Sequence, residues 1–284
     1  MGHPRGDCAA VSEGVAMQRG SAKDGQEVMR PAEERELETE DLDFGDSFLE
    51  EVVRTAPFLL RRLRAGERLG GRDGRRFEIL EPLGEGAMGQ VFRARDEELQ
   101  RVVALKLLFP REEHADLALR EARATAKLDH ENIVRIFDAS EWSVAPGLPR
   151  VPFLVMECLE GESLAALLAR ERPSLMRALE LLRGVAAGLA HAHEHHVIHR
   201  DLKPSNIFLT TQGGVKLLDF GLAWVGAANG GGGVPHLPMA GTPPYMAPEQ
   251  WRGEAVDART DVWAAGVVLF EMLTGELPYR SDNL

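Results

Sequence analysis

The rhythm of apolar and polar positions changes along this chain, and the change divides it. Residues 1–76 show little period. The first thirty are rich in glycine, alanine, serine and charge, a composition that buries too little apolar surface to order itself. Phe48, Val52, Val53, Phe58, Leu59, Leu60 and Leu63 have the spacing of one short amphipathic helix, broken at Pro57. From Phe77 the texture differs. Phe77–Leu80, Gln90–Arg93 and Val102–Leu108 are short β-branched or apolar runs separated by turns, which predicts antiparallel strands. Leu117–Leu128 has helical spacing, and Val151–Cys158 reads as another strand. After Glu162 the pattern is helical over Ser163–Ala169, Leu175–His196 and Thr260–Thr274, with short strands at Ile207–Leu209 and Val215–Leu218. A strand-rich part followed by a helix-rich part predicts an α+β fold in two lobes, 77–159 and 160–284, behind a leader of residues 1–76. The tract Gly230–Gly233 predicts a flexible loop.

Composition narrows the function. The chain has 284 residues and a formal net charge of -12, which argues against a general nucleic-acid binder, since those present a basic face. The charge is blocked: Glu33–Glu51 holds ten acids against Arg35, and Arg54–Arg76 holds eight arginines against Glu67 and Asp73. Such blocks are usually solvated faces. Cys8 and Cys158 are far apart and in no metal-ligand spacing, so a reducing, cytoplasmic setting is expected. The longest apolar run, Val262–Leu273, carries Glu271 and falls short of the roughly 20 apolar residues a bilayer requires. The N-terminus has no basic start followed by an apolar core, so no secretory signal is expected.

The candidate chemistry begins at Gly84-Glu85-Gly86-Ala87-Met88-Gly89-Gln90-Val91. Glycines let backbone approach anionic oxygens without side-chain clashes. The loop alone could be a plain glycine hairpin or the start of a dinucleotide fold, but strands flank it where the latter would place a helix. Val103-Ala104-Leu105-Lys106 follows, with Glu121 on the next predicted helix. His199-Arg200-Asp201-Leu202-Lys203-Pro204-Ser205-Asn206 sets an acid, a lysine and an amide at fixed short spacing. Asp219-Phe220-Gly221, Gly241–Glu249 and Asp261–Gly266 complete an ordered series. From Phe77 to about Asn283 this series resembles the bacterial eukaryotic-type (Hanks-type) serine/threonine protein kinases.

That resemblance implies an ATP-dependent kinase that uses Mg²⁺ and phosphorylates serine and threonine hydroxyls of proteins. It implies Asp201 as the acceptor of the substrate hydroxyl's hydrogen bond and Lys203 as the neutraliser of charge on the moving phosphoryl group. Lys106 would hold the α- and β-phosphates and be oriented by an ion pair with Glu121. Asn206 and Asp219 would hold Mg²⁺, as hard oxygen ligands. Gly84, Glu85, Gly86, Ala87, Gly89, Val91 and Ala104 would cover the nucleotide. Met156 is the gatekeeper in the resemblance, the Glu157–Leu159 backbone would bind adenine, and Glu162 sits near the ribose. Lys203 with Thr242 points to serine/threonine rather than tyrosine substrates.

Two features depart from the family. The helical part ends soon after the Asp261 helix, so Glu249 is expected to lack its usual arginine and the Thr260–Thr274 helix to keep an open apolar side. This leaves a catalytically weak nucleotide-binding scaffold, or pseudokinase, as the alternative function. A small-molecule phosphotransferase is disfavoured by the peptide-docking segment Gly241–Glu249. The second departure is that Gly221–Gly241 contains no Ser, Thr or Tyr, so Arg200 is expected to find an anion other than a phosphate on that stretch. His191, His193, His195, His196 and His199 crowd the approach to Asp201. With no carboxylate or cysteine completing a ligand set, they are read as a helix end, where imidazole suits the last carbonyls, rather than as a metal site.

Overall fold

The structure is a computed structural model, which describes residues 63–71, 74–86, 89–108, 115–143, 150–220 and 242–279. All lie within the unit Arg61–Leu284. The amphipathic segment Phe48–Leu63, apart from Leu63 itself, lies outside the described residues, as do Ala87 and the glycine tract 230–233.

Strands β1 (Arg68–Leu69), β2 (Phe77–Gly86), β3 (Gly89–Asp96) and β4 (Arg101–Leu108) follow in order. Helix α1 (Ala115–Thr125) precedes β5 (Ile136–Trp142) and β6 (Val151–Glu157). The strands form one antiparallel sheet in the order β1-β2-β3-β4-β6-β5. β4 and β6 lie side by side within the sheet and are buried on both faces along most of their length, which is why they read as continuous apolar runs rather than alternating ones. β1 was not expected. It belongs to residues assigned to the leader, yet Leu69 pairs with Phe77 and is fully buried. A two-residue strand carries no period, and β1 exists only through its pairing with Phe77 and Glu78; the Phe77 ring in turn meets that of Phe153 edge to face at 5.9 Å. The folded part therefore starts ahead of Phe77.

The second part holds β7 (Gly161–Ser163), α2 (Leu164–Arg170), α3 (Leu175–Glu194), β8 (Ile207–Thr210), β9 (Val215–Leu217), α4 (Pro248–Trp251) and α5 (Ala258–Thr274). Helices α2, α3 and α5 each start at a side chain that satisfies an orphan backbone donor. Ser163 accepts from Ala166 N at 3.1 Å, Ser174 from Arg177 N at 3.3 Å, and Asp257 from Arg259 N at 2.8 Å. Gly275, at φ 75°, ends α5 in the left-handed conformation. The core joins Leu181, Val185 and Leu189 of α3 to Ile207, Leu217, Phe220, Val268 and Met272. On the other side of α5, Val262 is 64% exposed, Phe270 42% and Leu273 38%.

The two parts are stitched together just upstream of Asp219. Leu217 N donates to Asn132 O at 2.8 Å, Val134 N donates to Leu217 O at 2.9 Å, and Asn132 Nδ2 donates to Val215 O at 2.9 Å. The loop after α1 thus lies along β9 as if it were a further strand.

Candidate active site

Lys106 sits on β4 opposite Leu154 and Val91. It is 4% exposed, and an ammonium so buried needs an anion. That anion is Asp219, whose Oδ1 lies 2.6 Å from Lys106 Nζ. The expected Lys106–Glu121 ion pair is not formed. Glu121 instead accepts from Arg200 at 3.0 Å, and its second oxygen is buried without a hydrogen-bond partner among the described residues. Burial pushes the Glu121 carboxyl above its ordinary value, and the Arg200 charge only partly offsets this. The anion for Arg200 is thus a carboxylate from the helix after β4, which motif spacing did not indicate.

Around Asp201 the backbone is held from several directions. Arg200 has φ 66° and Asp219 φ 58°, left-handed values that non-glycine residues keep only when their surroundings enforce them. Buried Asp261, on α5, accepts from His199 N at 2.8 Å and Arg200 N at 2.9 Å. Asn206 donates to Asp201 O at 2.8 Å and to its Oδ2 at 3.3 Å. Lys203 Nζ lies 2.7 Å from Asp201 Oδ2 and donates to Thr242 Oγ1 at 2.6 Å. Thr242 donates to Asp201 Oδ1 through both its amide and its hydroxyl, each at 3.1 Å. An acid, a lysine and a threonine from two segments therefore form one cluster. His199 and Phe220 rings pack at 4.6 Å, which joins this loop to the segment that carries Asp219.

Val91, Ala104, Met156 and Leu159 belong to one apolar group. The hinge strand end is anchored from behind. Glu157 N donates to Arg135 O at 3.0 Å, and Glu157 Oε1 accepts from Arg135 N at 2.8 Å and from Lys216 Nζ at 2.6 Å. Gly84, Glu85, Gly86 and Gly89 lie on the hairpin of β2 and β3, which pairs Gly86 with Gly89. Gly89 has φ 141°, and a Cβ there would run into the Leu107 carbonyl oxygen, so only glycine fits. Glu162, placed near the ribose by resemblance, is held by Arg170 in a two-pronged ion pair.

The donor set suits a nucleotide carrying a divalent cation. The apolar group, the buried Lys106 ammonium, and the oxygens of Asp219 and Asn206, of the kind hard cations prefer, are the parts such a ligand needs. With the Asn206 amide nitrogen committed to Asp201, its oxygen is the end left for a cation. The histidines find separate partners. His193 pairs with Asp261 at 2.7 Å, and His195 Nδ1 lies 2.8 Å from the His191 carbonyl. Among the described residues no group of three or more His, Cys, Asp or Glu could hold a metal. Sequence reasoning missed Lys216, Asn132 and Gln250, and it left Asp261 without a role and His193 without this partner. Glu249 accepts a hydrogen bond from the Thr260 hydroxyl at 2.7 Å.

Comparison with known proteins bears on this geometry. The family described as protein kinase domain matches residues 77–284. Serine/threonine-protein kinase PknB of Mycolicibacterium smegmatis is 40% identical over 218 residues, 73% of this chain and 34% of that protein. The probable serine/threonine-protein kinase SCO3848 of Streptomyces coelicolor is 38% identical over 226 residues, 76% of this chain and 32% of that protein. The chain thus spans about a third of the length of these curated relatives. Among solved structures, the Mycobacterium tuberculosis PknI kinase domain superposes with a TM-score of 0.61 at 25% identity, covering 77% of this chain and 78% of that one.

Proposed function

The chain belongs to the protein kinase domain family, among its bacterial serine/threonine members, and from that premise we propose that it transfers the γ-phosphate of ATP to serine and threonine hydroxyls of proteins. The observation that carries this reading is the Asp201 carboxylate, held by Lys203, Thr242 and Asn206, while Asp261 holds the His199 and Arg200 amides just ahead of it. A substrate hydroxyl would replace the longest of these contacts, the one from Asn206 at 3.3 Å. Its oxygen attacks the γ-phosphorus, the bond to the β-phosphate oxygen breaks, ADP leaves, and the hydroxyl proton passes toward Asp201. Lys203 offsets charge on the transferred group. Most of the rate comes from such positioning and fixed electrostatics.

Val91, Ala104, Met156 and Leu159 would clasp the adenine, with the Glu157–Leu159 backbone along its polar edge. Glu162 would face the ribose, and the Gly84–Val91 hairpin would cover the phosphates. Kinases of this family use ATP and a divalent metal ion; we take the ion to be Mg²⁺, held by Asp219 and Asn206, where it would neutralise phosphate charge. Transfer on this reading requires Lys106 to exchange Asp219 for phosphate oxygens and Glu121 to exchange Arg200 for Lys106. The same reading divides the domain into lobes near Leu159 and sets it in the cytoplasm, without nucleic acid as a partner. No helix among the described residues is long and apolar enough to cross a membrane.

The test uses radiolabelled Mg·ATP and a generic protein substrate. Asp201→Asn should lower kcat by about 10²–10⁴-fold while nucleotide still raises the melting temperature. Lys106→Met should abolish transfer in a folded protein. No label transfer by the unaltered chain, or near-full activity in either variant, would refute the assignment.

A further inference from the structure

One side chain outside every motif assigned above reaches the catalytic loop. Gln250 lies on α4, just past Glu249. Its Oε1 accepts from Ala247 N at 3.0 Å, closing the start of α4 on itself, and its Nε2 donates to Arg200 O at 2.8 Å. The amide orientation is fixed by its partners. A backbone N–H can only donate and a carbonyl can only accept, so the oxygen must face Ala247 and the nitrogen Arg200.

The carbonyl it reaches matters because of where it sits. Arg200 O belongs to the peptide that leads directly into Asp201, and Arg200 itself is at φ 66°. A left-handed non-glycine residue stays put only when neighbours over-determine it. Asp261 holds the two amides on one side of this peptide, and Gln250 holds the carbonyl on the other. Thr242, from the same segment as Gln250, grips the Asp201 carboxylate. The segment 242–250 therefore reaches Asp201 twice, once through its side chain and once through its backbone.

Resting on the kinase reading above, we propose that Gln250 is a positioning residue for phosphoryl transfer, locking the Arg200–Asp201 peptide so that the Asp201 carboxylate faces the substrate hydroxyl. A bland alternative exists, in which Gln250 only closes the first turn of α4 through Ala247. The two roles use opposite ends of one amide, so Gln250→Glu separates them. A glutamate keeps an acceptor for Ala247 N but offers no donor to Arg200 O, and its charge repels that carbonyl.

The experiment compares the unaltered chain, Gln250→Glu and Gln250→Ala by initial-rate kinetics, thermal melting and hydrogen exchange. Both variants should lose about tenfold or more in kcat, because small misplacements of a reacting group are costly. The KM for ATP should stay within about twofold, since no nucleotide contact is removed. Peptides covering 197–203 should exchange faster in both variants. Unaltered kcat and exchange in Gln250→Glu would overturn the proposal, as would a rate loss that only tracks loss of folded protein. If the unaltered chain transfers no phosphate, the kinase reading falls while the exchange measurement, which needs no substrate, still decides the role of Gln250.

Discussion

At the scale of single residues, Asp96 shows how a charge outside the site can hold the scaffold. Its side chain is fully buried in the turn between β3 and β4. It accepts from Arg76 Nε and Nη2 at 3.1 and 2.9 Å and from the Glu98 and Leu99 amides at 3.2 and 3.3 Å. Burial alone pushes this carboxyl up, but the Arg76 hydrogen bonds, the turn amides and the Arg76 charge together outweigh it and hold it below its ordinary value. Asp96→Asn should cost about 1–3 kcal/mol at neutral pH, since it weakens several hydrogen bonds to one buried group. The folded-state pKa lies below the unfolded one. The stabilisation is therefore complete above the unfolded value of about 3.9 and is lost as pH falls through the folded value. Urea melts from about pH 7 down to about pH 3 should show the gap between the two proteins narrowing only in acid. A variant as stable as the parent at pH 7 would sink the argument.

At the scale of elements, two mid-helix glycines make the comparison. A Cβ on Gly188 of α3 would meet Leu217 Cδ1 at 2.9 Å and Asn132 O at 3.0 Å. The leucine methyl could swing away, but Asn132 O is backbone already bonded to Leu217 N and cannot give. A Cβ on Gly266 of α5 would meet nothing within 4 Å. Alanine is the better helix former at both positions by about 1 kcal/mol. Gly266→Ala should therefore stabilise by about 0.5–1 kcal/mol, whereas Gly188→Ala should destabilise by about 1–3 kcal/mol through overpacking. Chemical denaturation reads both, and a stabilised Gly188→Ala would mean that α3 is free to move off β9. Helical spacing alone cannot tell these glycines apart, because the difference lies in what crosses the helix.

At the scale of the whole molecule, the pairing of Arg200 with Glu121 bears on control. The stretch 221–241 offers no hydroxyl for a phosphate; in this structure the charge that such a phosphate would meet has a carboxylate at 3.0 Å, which it gives up when Glu121 turns to Lys106. Protein made with a co-expressed phosphatase, and shown by mass spectrometry to be unmodified, should start at full rate. A lag abolished by preincubation with ATP, with new phosphate mapped to Thr242, would contradict this. Arg200→Gln should also release Glu121. If Arg200 restrains α1 away from Lys106, hydrogen exchange over 115–125 should change in that variant.

Much of the fold and the acid–base cluster was legible in the sequence because both are local. Strand and helix periods need only nearby residues, and Asp201, Lys203 and Asn206 fall in one short motif whose roles the family resemblance supplied. Asp219 and Lys106 could be placed on their elements by the same means. What the sequence could not supply was the choice of partner among like charges. Lys106 could meet Glu121 or Asp219, and Arg200 could meet a phosphate or Glu121. Spacing cannot rank these pairs, since Coulomb energy depends on a separation and a burial that exist only after α1 docks on β5 and β6. The same holds for β1, whose two residues are a strand only because they pair with Phe77 and Glu78, and for Gln250, whose amide became a tether when α4 came to lie beside the catalytic loop. Local chemistry was written in the chain, while the identity of each buried pair was decided by packing, because burial makes an unmatched charge too costly to leave and folding determines which counter-charge is in reach.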